Sequence, residues 1–242
     1  MYVKVNGITL FYQVSGQGPA IVLVHGSGED HRIFNETAEL LKKDYTVYAL
    51  DSRDHGKSSR VKTLSYNEMV EDVAEFVRKQ KLENPYFCGF SDGGIIGLLA
   101  AIRHPELFSK LVLCGANAHP HGLTRLWFNI FSLLEGVSHD RKLQMILREP
   151  RITEKELESI RVPVLLLAGE LDMVRESHTR YLASKIKTSC LHILPWEGHG
   201  SYIVHSRKLY FSMRKFLEKP FSVRNGFSDT KQGCKEKTLD TL

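Results

Sequence analysis

The chain has 242 residues, 33 Lys and Arg against 28 Asp and Glu, a net charge of +5 and a hydrophobic fraction of 42%. That balance fits one globular domain with its own core, and no basic stripe interleaved with aromatics marks a nucleic-acid surface. The longest apolar run is far short of a membrane span, and the four cysteines (Cys88, Cys114, Cys190, Cys234) form no C-x-x-C pair. The chain opens on a strand pattern rather than a charged-then-apolar leader. From these features we expect a reduced, cytoplasmic protein with no nucleic-acid partner and no stable membrane association.

Residues 2–5 and 8–14 alternate in hydropathy around the turn dipeptide Asn6-Gly7, which predicts an opening hairpin. Residues 20–24 are a continuous apolar run, as in a strand buried on both faces. They lead into His25-Gly26-Ser27-Gly28, and a helix is expected from there to about Lys43. A strand over 45–50 delivers Asp51-Ser52-Arg53-Asp54-His55-Gly56-Lys57-Ser58. Ser65 and Glu68 then form a capping-box pattern ahead of Met69, Val70, Val73, Phe76 and Val77 at helical spacing. The run 85–88 reads as a buried strand, and 94–102 as a buried helix stopped by His104-Pro105. Between them stands Gly89-Phe90-Ser91-Asp92-Gly93.

Beyond a strand over 110–114 the pattern changes. Residues 117–160 hold short helical segments, including 123–134, rich in bulky apolar residues, and 140–147, with a second capping box at Thr153 and Glu156. Strand character returns over 162–168 and ends in Gly169-Glu170-Leu171-Asp172. A helix to about Lys187 and a strand over 190–194 follow, the latter ending in Pro195-Trp196-Glu197-Gly198-His199-Gly200. A closing helix is expected to about Glu218. Residues 219–242 are polar and without apolar period, and are expected to be disordered.

Strands alternating with helices imply a mostly parallel sheet covered on both faces, whose working residues gather at the carboxyl ends of the strands. Ser91, Asp172 and His199 each fall just past a predicted strand. A serine hydroxyl is a poor nucleophile at neutral pH and needs a base, for which His199 is the candidate. The imidazolium so formed needs an orienting carboxylate. Asp172 competes here with Glu170, two residues earlier.

With these motifs in order, the chain resembles the α/β-hydrolase fold family over nearly all of residues 1–218. The resemblance rests on the His-Gly loop at 25–28, the segment 51–58, the G-x-S-x-G elbow at 89–93 and the order Ser, Asp, His. It implies a core domain of residues 1–116 and 161–218, a short helical cap of 117–160, and Asp172 rather than Glu170 as the acid. It also implies an oxyanion hole from the backbone N–H groups of Ser27 and Asp92. The implied reaction is cofactor-free and metal-free hydrolysis of a small or medium carboxylic ester, or a thioester, lactone or amide, through an acyl-serine. Relatives acting on haloalkanes or epoxides carry an aspartate where Ser91 stands.

Asp51, Arg53 and His55 read as a structural loop network, His25 as a brace for the oxyanion loop, and His119 and His121 as ordinary cap residues rather than metal ligands. Asp92 has two readings: a hydrogen bond within the elbow, or a site for a cationic substrate group, with Glu29 and Asp30 adding to an acidic mouth and Arg125 opposing it. The stretch 126–131 reads as the inner face of the cap, with Trp127, Phe128 and Phe131 as substrate contacts, in preference to an amphipathic membrane contact. Two further functions stay open. One is hydrolysis of a carbon–carbon bond in a diketone-like ring-cleavage product, which needs basic groups for a substrate carboxylate. The other is a slow or non-catalytic ligand-binding member of the fold.

Overall fold

The structure, a computed structural model, describes residues 1–218. The expected disordered tail, 219–242, lies outside the described residues. Eight strands form one sheet in the order β1-β2-β4-β3-β5-β6-β7-β8. These are β1 (Tyr2–Val5), β2 (Ile8–Ser15), β3 (Ala20–Val24), β4 (Thr46–Leu50), β5 (Tyr86–Phe90), β6 (Lys110–Cys114), β7 (Val164–Leu171) and β8 (Ser189–Gly198). The opening hairpin pairs antiparallel with β4, and from β4 to β8 every neighbouring pair is parallel.

The parallel strands are apolar throughout because each feeds two cores at once. Val22 and Val24, Leu111 and Leu113, Val164 and Leu166 point to one face; Ile21 and Leu23, Val112 and Cys114, Leu165 and Leu167 point to the other. The first face is covered by α2 (Tyr66–Lys79), α3 (Asp92–Arg103), α6 (Glu154–Ser159) and α7 (Glu176–Lys185). The second is covered by α1 (Asn35–Leu41) and α8 (Lys208–Glu218). Ser65 caps α2 by accepting from the Glu68 N–H, and Thr153 and Glu156 make the reciprocal capping box of α6.

Between β6 and β7 the chain makes a short 3-10 turn, Pro120–Gly122, and the paired helices α4 (Arg125–Ser138) and α5 (Arg141–Arg148). Helix α6 packs against α3 and α7, with Leu157 wholly buried in the main core. The stretch after the His-Gly loop is less helical than its sequence implies: a 3-10 turn at His31–Phe34, N-capped by Asp30, precedes the short α1. Strands β7 and β8 run further than their hydropathy indicates, to Leu171 and Gly198, with a register shift between Gly169 and Leu171. Pro195 is tolerated inside β8 because only one side of that strand is paired.

Candidate active site

Strand β5 ends at Phe90 and α3 begins at Asp92, leaving Ser91 alone to reverse the chain. It does so at φ 53°, ψ −112°, a conformation a residue with a side chain adopts only under constraint. The constraint is visible: the Ser91 N–H donates to the Cys114 carbonyl at 2.8 Å, and the Gly93 N–H to the His25 carbonyl at 3.1 Å. Glycine is obligatory on both sides. A Cβ on Gly89 would lie 2.1 Å from the Gly93 carbonyl oxygen, and one on Gly93 would lie 2.0 Å from that of Val24.

The strand ends bring Ser91, His199 and Asp172 into one line of hydrogen bonds. His199 Nε2 is 3.0 Å from Ser91 Oγ, and His199 Nδ1 is 2.6 Å from Asp172 Oδ1. Asp172 is buried and also accepts from the backbone N–H groups of Val174 (2.9 Å) and Gly169 (3.3 Å). Acceptance by the carboxylate fixes the proton on Nδ1 and leaves Nε2 with a lone pair toward the serine hydroxyl. Glu170, the competing acid, is exposed and accepts from the Trp196 N–H, so it faces away from His199.

The loop at 25–28 packs on the elbow: a Cβ on Gly26 would come 3.0 Å from Ser91 Cβ. Among the described residues, neither the Ser27 nor the Asp92 backbone N–H has a protein acceptor; Asp92 opens α3, where helix geometry provides none. His25 braces this loop. Its Nε2 accepts from the Ser52 N–H at 3.0 Å, so Nδ1 carries the proton and donates to the Gly26 carbonyl at 2.7 Å. Burial, with the neighbouring His55 adding, lowers its pKa to about 4. The unfolded chain takes up this proton near pH 6.5 and the native state only near pH 4. The stabilisation is therefore complete above pH 6.5 and is lost as pH falls through about 4, an effect of roughly 3 kcal/mol. His178, lowered to about 4 mainly by burial, acts in the same direction. Urea midpoints should fall across this window, and His25→Gln should be less stable at pH 7 but show a shallower pH dependence.

A cavity of about 260 Å³ opens beside Ser91. Its apolar wall comprises Phe90, Ile95, Leu123, Phe131, Ile146, Met173 and Val174, and its polar groups include Ser91, His199, Tyr66, Asn117, Glu29, Asp92 and Glu149. Three acidic residues and, among the described residues, no Lys or Arg line it. Asp92 is buried; Oδ1 accepts from the Tyr66 hydroxyl at 2.7 Å, while Oδ2 has no partner among the described residues. Burial raises its pKa, against the Tyr66 hydrogen bond and the nearby His55. Glu29 accepts from the Gly26 N–H at 3.0 Å and is also raised by burial. Glu149 accepts from the Tyr66 N–H at 3.1 Å.

Asp30 does not belong to this acidic group, since it pairs with Arg32, and Arg125 is not among the cavity residues. Of the three expected cap contacts only Phe131 reaches the cavity. Trp127 is exposed, and the Phe128 ring lies 5.5 Å from that of His121 instead. Successive residues of a helix diverge by about 100°, so one apolar run cannot present every side chain to the same wall. Tyr66 and Glu149 are functional neighbours that sequence reading missed; they join the cavity from 26 and 57 residues either side of Asp92, and no local pattern announces them.

The second polar cluster is structural. Asp51 accepts from the His31 N–H (2.8 Å), His31 Nδ1 (2.7 Å) and the Lys57 N–H (2.8 Å), and Arg53 binds Asp72 through two donors. His119 and His121 stack on each other, with ring centroids 4.9 Å apart.

This architecture, with its serine elbow, is the α/β-hydrolase fold. The sequence profile described as "alpha/beta hydrolase fold" matches residues 19–137. The chain is 28% identical to human serine hydrolase BPHL, over 83% of this chain and 80% of that one. It is 26% identical to the AB hydrolase superfamily protein YisY of Bacillus subtilis, over 89% of this chain and 98% of that one. Among solved structures it resembles the esterase EaEST from Exiguobacterium antarcticum, with a TM-score of 0.80 and 22% identity, covering 90% of this chain and 99% of the other. Among the described residues no helix is long and apolar enough to cross a membrane.

Proposed function

We propose that the protein is a serine hydrolase of carboxylic esters, acting through an acyl-serine and favouring small to medium substrates that bear an amine. One observation carries the reading: the hydrogen-bonded line Ser91–His199–Asp172 opens into a cavity lined by three acidic residues and, among the described residues, no Lys or Arg. His199 takes the Ser91 proton as the hydroxyl oxygen attacks the ester carbonyl, and Asp172 stabilises the imidazolium. The oxyanion draws on the Ser27 and Asp92 backbone N–H groups, each such donor contributing about 3 kcal/mol to the barrier reduction. The imidazolium protonates the leaving alkoxide. Water, deprotonated by the same histidine, then releases the acid and restores the serine.

The names borne by relatives support acyl-group hydrolysis. They include the human serine hydrolase, the pimeloyl-[acyl-carrier protein] methyl ester esterases of Vibrio species and the 3-oxoadipate enol-lactonase of Acinetobacter baylyi. Thioesters, lactones and amides share the chemistry. The fold is also that of a meta-cleavage product hydrolase, TM-score 0.74. Carbon–carbon cleavage nevertheless ranks second, because the acidic cavity has no Lys or Arg among the described residues to meet a substrate carboxylate. The cap assignment of residues 117–160 is part of the proposal: it supplies Leu123, Phe131 and Ile146 to the cavity.

Asp92 is buried at the cavity wall, so its carboxyl acts on a substrate ammonium through its charge, together with Glu29 and Glu149, rather than by direct contact. A p-nitrophenyl aminoacyl ester should be turned over with higher kcat/KM than its des-amino analogue, and Asp92→Asn should erase roughly 1.5–3 kcal/mol of that preference while still hydrolysing the neutral ester. Equal turnover of the two esters by the wild type would refute the amine preference and leave the hydrolase assignment standing.

A further inference from the structure

The three acidic residues of the cavity are not equivalent. Asp92 is 3% exposed and accepts from the Tyr66 hydroxyl. Glu149 follows α5 and accepts from the Tyr66 N–H, and no contact among the described residues ties it to Ser91. Glu29 follows the His-Gly loop directly and folds back on it, with Oε2 accepting from the Gly26 N–H at 3.0 Å. Its side chain is only partly buried. Oε1 has no partner among the described residues and, unlike Asp92 Oδ2, is not sealed from solvent.

Gly26 fixes where this carboxyl sits relative to the nucleophile. A Cβ built there would come 2.8 Å from Glu29 Oε2 and 3.0 Å from Ser91 Cβ, so both groups crowd the same side of one glycine. His199 is also near enough for its charge to favour the Glu29 carboxylate, while burial works against it. Glu29 has no Lys or Arg partner among the described residues, so an incoming cation would supply the missing half of an ion pair. An ammonium on the carbon next to an ester carbonyl is about 2.5 Å from the carbonyl carbon, by ordinary bond lengths and angles. It therefore stays beside the elbow when Ser91 Oγ attacks. An ammonium at the far end of a six-carbon acyl chain is carried away from it.

We propose that Glu29 binds the substrate ammonium directly through Oε1, and that this ammonium is the one adjacent to the ester carbonyl. The assignment rests on the amine-bearing ester reading given above and narrows it to α-aminoacyl esters. Asp92 and Glu149 then contribute through their charge, and Glu29 determines where on the acyl group the amine must sit.

The probes are the ethyl esters of hexanoic, 2-aminohexanoic and 6-aminohexanoic acids, with acid release followed by chromatography at pH 7, below the ordinary α-amino pKa. The wild type should give the 2-amino ester the highest kcat/KM. Glu29→Gln, whose amide oxygen can still accept from the Gly26 N–H, should lower the ratio of 2-amino to unsubstituted ester roughly tenfold or more. The 6-amino ratio should change far less. Glu29→Asp keeps the charge but withdraws it by one methylene, and direct contact predicts a similar loss. Effects passing through His199 or the loop fall on all three esters and cancel in the ratios. An unchanged 2-amino ratio in Glu29→Gln would overturn the assignment. So would a wild-type ratio in Glu29→Asp, since charge at a distance would then suffice. Equal losses on all three esters would also overturn it and make Glu29 a loop brace alone. If the wild type itself showed no amine preference, the amine reading would fall and this assignment with it. A Ser91-dependent rate on the hexanoic ester would still leave the hydrolase reading in place.

Discussion

Ser91→Ala is expected to lower kcat on any p-nitrophenyl ester that the wild type hydrolyses by roughly 10⁵- to 10⁶-fold, with its circular dichroism spectrum and urea midpoint close to those of the wild type. The magnitude is that of removing a nucleophile whose partners act as a unit; what survives comes from the oxyanion donors and binding alone. The fold should tolerate the change because the elbow is held by backbone groups, the Ser91 N–H on Cys114 and the Gly93 N–H on His25, not by the hydroxyl. Stopped-flow absorbance gives a second reading: the wild type should show a burst of p-nitrophenol if deacylation is slow, and the variant none. A variant retaining a tenth of the wild-type rate would mean that Ser91 is not the nucleophile.

Asp172→Asn should cost about 10⁴-fold in kcat while leaving KM within a few-fold. The amide would present an N–H to the ring where the carboxylate accepts, turning His199 toward the wrong tautomer, and would no longer stabilise the imidazolium. The stability cost should be moderate, since the Val174 and Gly169 N–H groups can still find the amide oxygen. Glu170→Gln provides the contrast. It lies two residues away, is exposed, and among the described residues accepts only from the Trp196 N–H, so kcat of the variant should stay within a few-fold of the wild type. If the two variants lost activity equally, Asp172 would not be the orienting acid.

These two carboxylates show where sequence reading succeeds and where it stops. The elbow was legible because everything that makes it, strand, glycine pair and helix start, lies within a few consecutive residues. Asp172 and Glu170 both follow a predicted strand, and separating them took a resemblance; in the structure β7 continues past Gly169 with a register shift against β8, which turns one acid inward and the other out. Residues 117–160 were legible as helical but not in orientation. Trp127 and Phe131 are four residues apart and equally apolar, and only packing against the body decides that Phe131 enters the cavity. Asp92 stood out as an unusual neighbour for a nucleophile. Its partner Tyr66 did not, because a hydroxyl 26 residues away leaves no periodic trace.

The arrangement of the sheet also orders the assembly of the chemistry. Ser91 and the His-Gly loop follow β5 and β3, which are central and neighbours, whereas His199 follows β8, the outermost strand on its side among the described residues. A chain that had not yet paired that last strand would also lack α8 over the second face, yet could already display Ser91 above the first core. It would have nothing to deprotonate that serine. On the proposed mechanism, reactivity would be withheld until the outer edge closes, so an incompletely folded chain would not attack esters indiscriminately.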